Sequence, residues 1–151
     1  GAQAAGRARA LGVSNFTRRH LKELLGFCRV PPAINQIEVH PYFQQEELLE
    51  YCWGRGIQVM ASSPLAHGDL RLLDDRGLNK IAAACGRTPA QVALRWLLQL
   101  GVPPVAFSAS PARLRENLDV QGFTLDQEQM AKISFLGRSR GRVGFDPNLI
   151  A

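Results

Sequence analysis

Asn35-Gln36-Ile37-Glu38-Val39-His40-Pro41 is the stretch that decides the fold. It ends the apolar run Ala33–Val39, which is short enough for a strand and carries β-branched residues. Side chains alternate along a strand, so Gln36 points to the face opposite Ile37. His40 and Pro41 then stop the run, and polar groups gather where strand gives way to loop.

The same order of events recurs on both sides. Ala10–Val13 runs into Ser14-Asn15-Phe16, Ile57–Ala61 into Ser62-Ser63-Pro64-Leu65, and Val102–Phe107 into Ser108-Ala109-Ser110. Helix patterns separate these runs. Phe16 to Leu25 sets Leu21, Leu24 and Leu25 on one face. Glu46 to Trp53 repeats this with Leu48, Leu49 and Cys52, and Gly54 and Gly56 close it. Leu78, Ile81 and Ala82 begin a third helix that stops at Gly86. Thr88-Pro89-Ala90-Gln91 reads as a capping box with proline at the first helical position, opening a helix that runs to Gly101. Ser110-Pro111 starts another, to about Asp119, and Thr124 opens the last, through Met130 and Ile133 to Leu136.

Alternating strand and helix argue for a parallel sheet with helices burying its faces. Four such strands in 151 residues are few for a doubly wound sheet. They are half of a (β/α)8 barrel, whose usual length is about 250 residues. Arithmetic leaves both architectures open. Either one concentrates its chemistry at the strand ends, where the polar residues lie here.

Composition narrows the function classes. Hydrophobic residues make up 46% and charged ones 21%, a globular balance. Nothing approaches the roughly 18 consecutive apolar residues of a membrane helix. No basic segment with an apolar core opens the sequence, and a cytoplasmic protein is expected. Cys28, Cys52 and Cys85 are an odd number in no metal-binding spacing, so they read as fillers of the core or its margin. The net charge of +5 is dispersed; Arg138, Arg140 and Arg142 come closest to a run. Nucleic-acid footprints are clustered, so an anionic small molecule explains the charge as well as a polynucleotide does.

Ser, Asn and Gln at strand ends offer donors and acceptors to an amide or a phosphate without adding charge. Ser110 and Thr88 read as N-caps. His40 reads as a structural histidine bonded to backbone, and Glu38 as a partner for an arginine inside the fold. There is no G-x-S-x-G, H-E-x-x-H, Walker loop or G-x-G-x-x-G. Tyr51 falls within a helix and Tyr42 follows His40-Pro41, neither where a proton donor over a cofactor is expected. The residues by themselves describe a binding surface with no catalytic group.

Ala10-Leu11-Gly12-Val13-Ser14-Asn15-Phe16, Asn35 to Pro41, Ser63-Pro64-Leu65 and Thr88-Pro89-Ala90-Gln91-Val92-Ala93-Leu94-Arg95-Trp96 together resemble the aldo-keto reductase superfamily. The closing Gly141-Arg142-Val143-Gly144-Phe145-Asp146-Pro147 is similar to the tail of its bacterial members of the 2,5-diketo-D-gluconate reductase type. The resemblance spans nearly the whole chain, in order and spacing. It implies the C-terminal half, strands five to eight with their helices, of a (β/α)8 barrel that binds NADP(H) and reduces aldehydes or ketones to alcohols. The family's catalytic Asp, Tyr, Lys and His come from the N-terminal half, so no catalytic residue is assigned here.

By motif position, the resemblance makes Ser14, Asn15 and Gln36 ligands of the nicotinamide carboxamide. Ser62 stands where the family has an aromatic residue stacked on the nicotinamide, which a serine cannot do. Ser63 and Leu65 fall in the pyrophosphate-binding loop, which would continue from Ala66 to Leu73. Alignment on Pro111 to Asn117 puts Phe107 at a family lysine and Ser108 at a serine. Arg113 would then face the adenosine 2′-phosphate, and Glu116 and Asn117 the adenine. Loss of the lysine removes one charge from the phosphate site, which admits NAD(H) beside NADP(H).

The expected partners are a small carbonyl substrate and either the N-terminal half-barrel or a second copy of the chain. Two other readings remain: a truncated nucleotide-binding or regulatory module without turnover, and an open four-stranded binding module unrelated to redox chemistry.

Overall fold

Strand and helix alternate through the first 62 residues of the computed structural model, which describes residues 1–68, 70–137, 141–144 and 146–149. Arg138, Arg140 and Phe145, singled out above, lie outside the described residues, as does Asp69 in the Ala66–Leu73 loop. The chain divides into two compact units, one of Gly1–Ile37, Gln45–Met60 and Asp146–Ala151, the other of Glu38–Gln44 and Ala61–Phe145.

The first unit holds β1 (Gly12–Ser14), α1 (Arg18–Phe27), α2 (Glu46–Trp53) and most of β2 (Ile34–Glu38) and β3 (Gln58–Ser62), whose last residues, Glu38 and Ala61–Ser62, fall in the second. The sheet order is β1-β2-β3, and β1 pairs with β2 in parallel, Gly12 opposite Ile34 and Ser14 opposite Gln36. A Cβ at position 12 would stand 3.2 Å from the Ile34 carbonyl oxygen, so glycine suits this close strand contact. Thr17 starts α1: its hydroxyl accepts from the His20 N–H, and His20 Nδ1 accepts from the Thr17 N–H. Leu21 is fully buried beneath it. Glu46 and Glu47 in the first turn of α2 complement the positive end of the helix dipole. Tyr51 in α2 carries the Arg55 guanidinium 3.6 Å above its ring.

The second unit is helical: α3 (Leu70–Leu73), α4 (Arg76–Cys85), α5 (Pro89–Gln99), α6 (Pro111–Leu118) and α7 (Gln127–Leu136). Asp75 caps α4 by accepting from the Gly77 and Leu78 N–H groups, and Gly86 ends it at φ 62°. The capping box at Thr88 and Gln91 forms as the sequence predicts, with Pro89 behind it. α5 packs against α4, α6 and α7 and buries Val92, Ala93, Leu94, Trp96 and Leu97. The Trp96 indole N–H meets Ser134 Oγ at 3.2 Å, satisfying the one polar atom that this buried ring carries.

Several expectations need correction. The strands begin one to two residues later than the apolar runs, because pairing rather than hydropathy sets their ends. α7 is capped by Asp126 and not by Thr124, whose hydroxyl instead accepts from Arg95 Nη2 at 3.3 Å. The fourth strand, expected over Val102–Phe107, is a single parallel bridge between Ala61 and Pro104. Ala61 donates to the Pro103 oxygen and accepts from the Val105 N–H, both at 2.9 Å. Pro103 and Pro104 have no N–H, so no longer ladder can form there. The short α3 and the turn at Ala66–Gly68 before it carried no sequence signal.

Candidate functional site

The candidate residues form two groups, one in each unit. In the first unit the β1–β2 register sets Ser14 against Gln36. The Ser14 hydroxyl donates to the Gln36 carbonyl at 3.2 Å, and the Asn15 N–H donates to the same oxygen at 2.8 Å. Asn15 turns the chain in a left-handed conformation (φ 59°), which Asn tolerates better than most residues. Gln36 is half-buried, with its amide nitrogen 3.8 Å from Met60 Sδ, a weak acceptor. Ser14 and Asn15, at the end of β1, are thus brought to Gln36, in the middle of β2.

Asn35 supports this corner and was missed in the sequence. It is fully buried, donates to the Phe16 carbonyl at 2.9 Å and accepts from the Phe16 N–H at 3.4 Å. A polar amide at a core-facing strand position was the available signal, since a buried amide needs partners.

In the second unit a cavity of about 570 Å³ is bounded mainly by the loop after β3, residues 105–109 and α6, with Leu73 of α3 and Ala90 of α5 completing its lining. Ser63, Leu65, Ser108, Arg113, Glu116 and Asn117 all line it. Ser62 is not among its described lining residues. The loop is unusual in its backbone: Ser63, Ala66 and His67 have φ of 49°, 52° and 58°. His67 Nε2 lies 2.9 Å from Ser63 Oγ, which ties the two ends of the turn.

The opposite wall is held through α5. Glu116 Oε1 accepts from the Thr88 hydroxyl at 2.6 Å, and Gln91 Nε2 donates to the Glu116 carbonyl at 3.2 Å. Thr88 is therefore more than a cap. Ser108 Oγ accepts from the Ser110 N–H at 3.1 Å, and Ser110 caps α6 as expected. Arg113 is exposed on the first turns of α6, and Phe107 is 92% exposed on the cavity wall.

Glu38, His40 and Tyr42 are structural. Glu38 Oε1 lies 2.9 Å from His40 Nε2, and its carboxylate accepts the Val143 and Gly144 N–H groups at 2.7 and 2.9 Å. Burial pushes the Glu38 carboxyl upward, but the His40 bond and the two backbone donors outweigh it, so the group sits below the usual glutamate value. His40 thus binds a carboxylate and not the backbone, and its Nδ1 has no partner among the described residues. The Tyr42 hydroxyl lies 2.6 Å from the Arg71 carbonyl and 2.8 Å from Asp75 Oδ2, fixed between two acceptors. Cys52 is buried, and that burial raises its thiol pKa, which fits a filler and not a nucleophile. No group of metal-ligating side chains occurs among the described residues, and none of their helices is long and apolar enough to cross a membrane.

A parallel sheet flanked by helices, with polar side chains along its strands, defines an α/β protein, and a cavity lies beside the left-handed loop of the second unit. The chain belongs to the aldo/keto reductase family, whose model matches residues 1–137. It is 46% identical over 143 residues to glyoxal reductase of Bacillus subtilis, covering 95% of this chain and 51% of that protein. It is 47% identical over 139 residues to 2,5-diketo-D-gluconic acid reductase B of a Corynebacterium species, covering 92% and 50%. A crystal structure of a Gox0644 mutant in complex with NADPH superposes with a TM-score of 0.93 at 43% identity, covering 99% of this chain and 55% of that one. The chain spans about half the length of the curated relatives it matches.

Proposed function

We propose that this chain is the C-terminal half, strands five to eight with their helices, of a (β/α)8 aldo-keto reductase. The whole enzyme reduces a small aldehyde or ketone to an alcohol with NADP(H), and NAD(H) is admitted beside it. The observation that carries this reading is the cavity of about 570 Å³ walled by the 63–68 loop and by Arg113, Glu116 and Asn117. Its volume lies within the range of about 300–1,000 Å³ common to small-molecule sites. One guanidinium, two serine hydroxyls and a bent loop suit a phosphate-bearing ligand.

The cofactor supplies the hydride when bound; the chain's own residues bind and orient. Gln36 and Asn15 offer the carboxamide donors and acceptors that choose which face of a planar ring meets the substrate. Ser14 gives its proton to the Gln36 carbonyl, which leaves its oxygen to accept. Arg113 offers a planar fork to phosphate oxygens. Ser63 and Leu65 line the loop that would flank the pyrophosphate. Ser62, too small to stack on a ring, leaves that face to other groups.

The protonating group belongs to an N-terminal half-barrel, which also completes the sheet unless a second copy does so. A cytoplasmic location accords with this reading. The alternative is a nucleotide-binding or regulatory module without turnover.

Titration of the native-length protein with NADPH, followed by calorimetry, tests the cofactor reading, and NADPH-dependent reduction of glyoxal-like carbonyls tests the activity. Binding with turnover supports the enzyme. Binding without turnover selects the module, and no binding at all refutes both.

A further inference from the structure

Three of the described helices open on the same device: Thr17 with His20 at α1, Thr88 with Gln91 at α5, and Asp126 with Gln129 at α7. In each, the cap side chain accepts the N–H of the third helical residue, whose own side chain accepts the cap N–H in return. Glutamine returns that bond through an amide oxygen that carries no titrating proton. Histidine returns it only through a ring nitrogen that has kept its lone pair. The α1 box is thus the one of the three whose returning acceptor changes charge in the histidine range, about pH 5 to 8.

The His20 ring is half-buried and stands between two donors. The Thr17 N–H meets its Nδ1 at 3.3 Å, and Arg19 Nη2 lies 3.1 Å from its Nε2. A neutral imidazole has one lone pair to give and a protonated one has none. The surroundings do not hold a cation there. Arg18, Arg19 and Lys22 outnumber Glu23 at the start of α1, and its first turn has no acidic residue. From α2, Tyr51 faces Arg18 and carries the Arg55 guanidinium on its ring. The helix dipole is positive at this end as well.

The box also closes the turn that begins at Ser14. Asn15 holds its left-handed backbone there and gives its N–H to the Gln36 carbonyl. Phe16 is pinned through both backbone groups by Asn35, and its ring meets the His20 ring edge-on at 5.8 Å. His20 therefore touches the turn twice, at the Thr17 N–H and at the Phe16 ring.

We propose that His20 is a proton-sensitive latch on this turn. Unprotonated, it completes the α1 cap and steadies Phe16 and Asn15. Protonated, it leaves the box, and the segment from Ser14 to Thr17 loosens. Cofactor binding then weakens as the pH falls, a consequence that rests on the reading of Asn15 as a nicotinamide ligand.

Amide exchange NMR of the native-length protein tests the latch, with protection taken relative to intrinsic rates and His20 protonation followed by its ring carbon shifts. As the ring protonates between about pH 7.5 and 5.5, Thr17 and Asn15 should lose protection by about fivefold, the worth of one cap. Thr88 and Asp126 should stay level. His20→Gln restores the usual capping residue, so both amides should keep their protection across the range. His20→Ala should leave Thr17 poorly protected at either pH. NADPH affinity should fall at least about threefold more in the wild type than in His20→Gln, a ratio that cancels titration of the ligand itself.

A protonated His20 with Thr17 still protected would overturn the latch, as would the same loss of protection in His20→Gln. Amide steps as expected, with equal loss of NADPH affinity in the two proteins, would overturn the link to binding. NADPH that binds at neither pH would refute the cofactor reading, while the amide steps still decide the latch.

Discussion

Glu38 Oε1 and His40 Nε2 stand 2.9 Å apart, and the same buried carboxylate receives the N–H groups of Val143 and Gly144. A segment more than a hundred residues away in sequence is thereby fastened to the end of β2. The carboxylate is charged because three donors compensate its desolvation, which is the arrangement a buried acid requires.

The sign of its pH dependence follows. Glu38 has a folded-state pKa below its ordinary value of 4.5, so its contribution is fully present above that value and is lost as pH falls through the folded one. The protection of the Val143 and Gly144 amides, taken relative to their intrinsic exchange rates, should therefore fall as the pH drops below that ordinary value. Glu38→Gln should remove that acid step and raise exchange at neutral pH. An unchanged acid profile in Glu38→Gln would assign the step to other groups.

Gly144 is the second half of this fastening. A Cβ there would lie 2.6 Å from Glu38 Oε2, too close to be accommodated without movement. Gly144→Ala should cost about 1–3 kcal/mol by overpacking. Denaturant melts of the native-length protein measure it, and a cost below about 0.5 kcal/mol would show that the tail can shift at no expense.

Thr88 joins two functions in one hydroxyl, accepting from the Gln91 N–H and donating to Glu116. Thr88→Ala should lower stability by about 1–2 kcal/mol through the lost cap. It should also loosen Glu116 and weaken nucleotide binding, whereas Thr88→Ser should preserve both. Equal loss in the two variants would point to the methyl group instead of the hydroxyl.

Punctuation was the most legible part of the sequence. Glu46–Trp53 is helical over the very residues expected, and the Thr88, Ser110, Gly54 and Gly86 signals all mark helix ends. Caps are local, so local sequence reveals them. The 102–107 run misled because hydropathy says nothing of the N–H groups that Pro103 and Pro104 lack. At the site, register explains why Ser14, Asn15 and Gln36 meet: their separations in sequence are those of parallel strands in one sheet. Asn35 and the tie from Thr88 to Glu116 escaped, since each bond depends on tertiary packing between elements distant in sequence.

Two substitutions should divide the nucleotide between its ends. Gln36→Ala should disturb the ordering of the nicotinamide while leaving affinity for 2′-phosphoadenosine ribose close to wild type. Arg113→Ala should weaken that fragment by about one to two decades, the worth of a charge-assisted hydrogen bond. Isothermal titration with NADPH and with the fragment decides this. Equal loss of both ligands in Gln36→Ala would count against a nicotinamide role.

Residues 1–151 alone should be partly molten or should self-associate. Val105, Phe107 and Leu118 of the second unit are exposed, and an unpaired sheet edge invites further pairing. Sedimentation and calorimetric melting of this segment test the point, and a sharp cooperative transition from a strict monomer would refute it.

The loop bearing Ser63, Ala66 and His67 has a kinetic consequence. Each of these residues holds a left-handed backbone that a Cβ opposes, at a cost on the order of 1 kcal/mol apiece. The Ser63–His67 bond holds that shape in the folded chain. An incoming nucleotide then meets a wall that has little ordering left to lose. Its capture would be governed by the frequency of encounter, with no slow closing step, and Ala66→Gly, which frees the bend, should slow association even as it relieves the protein.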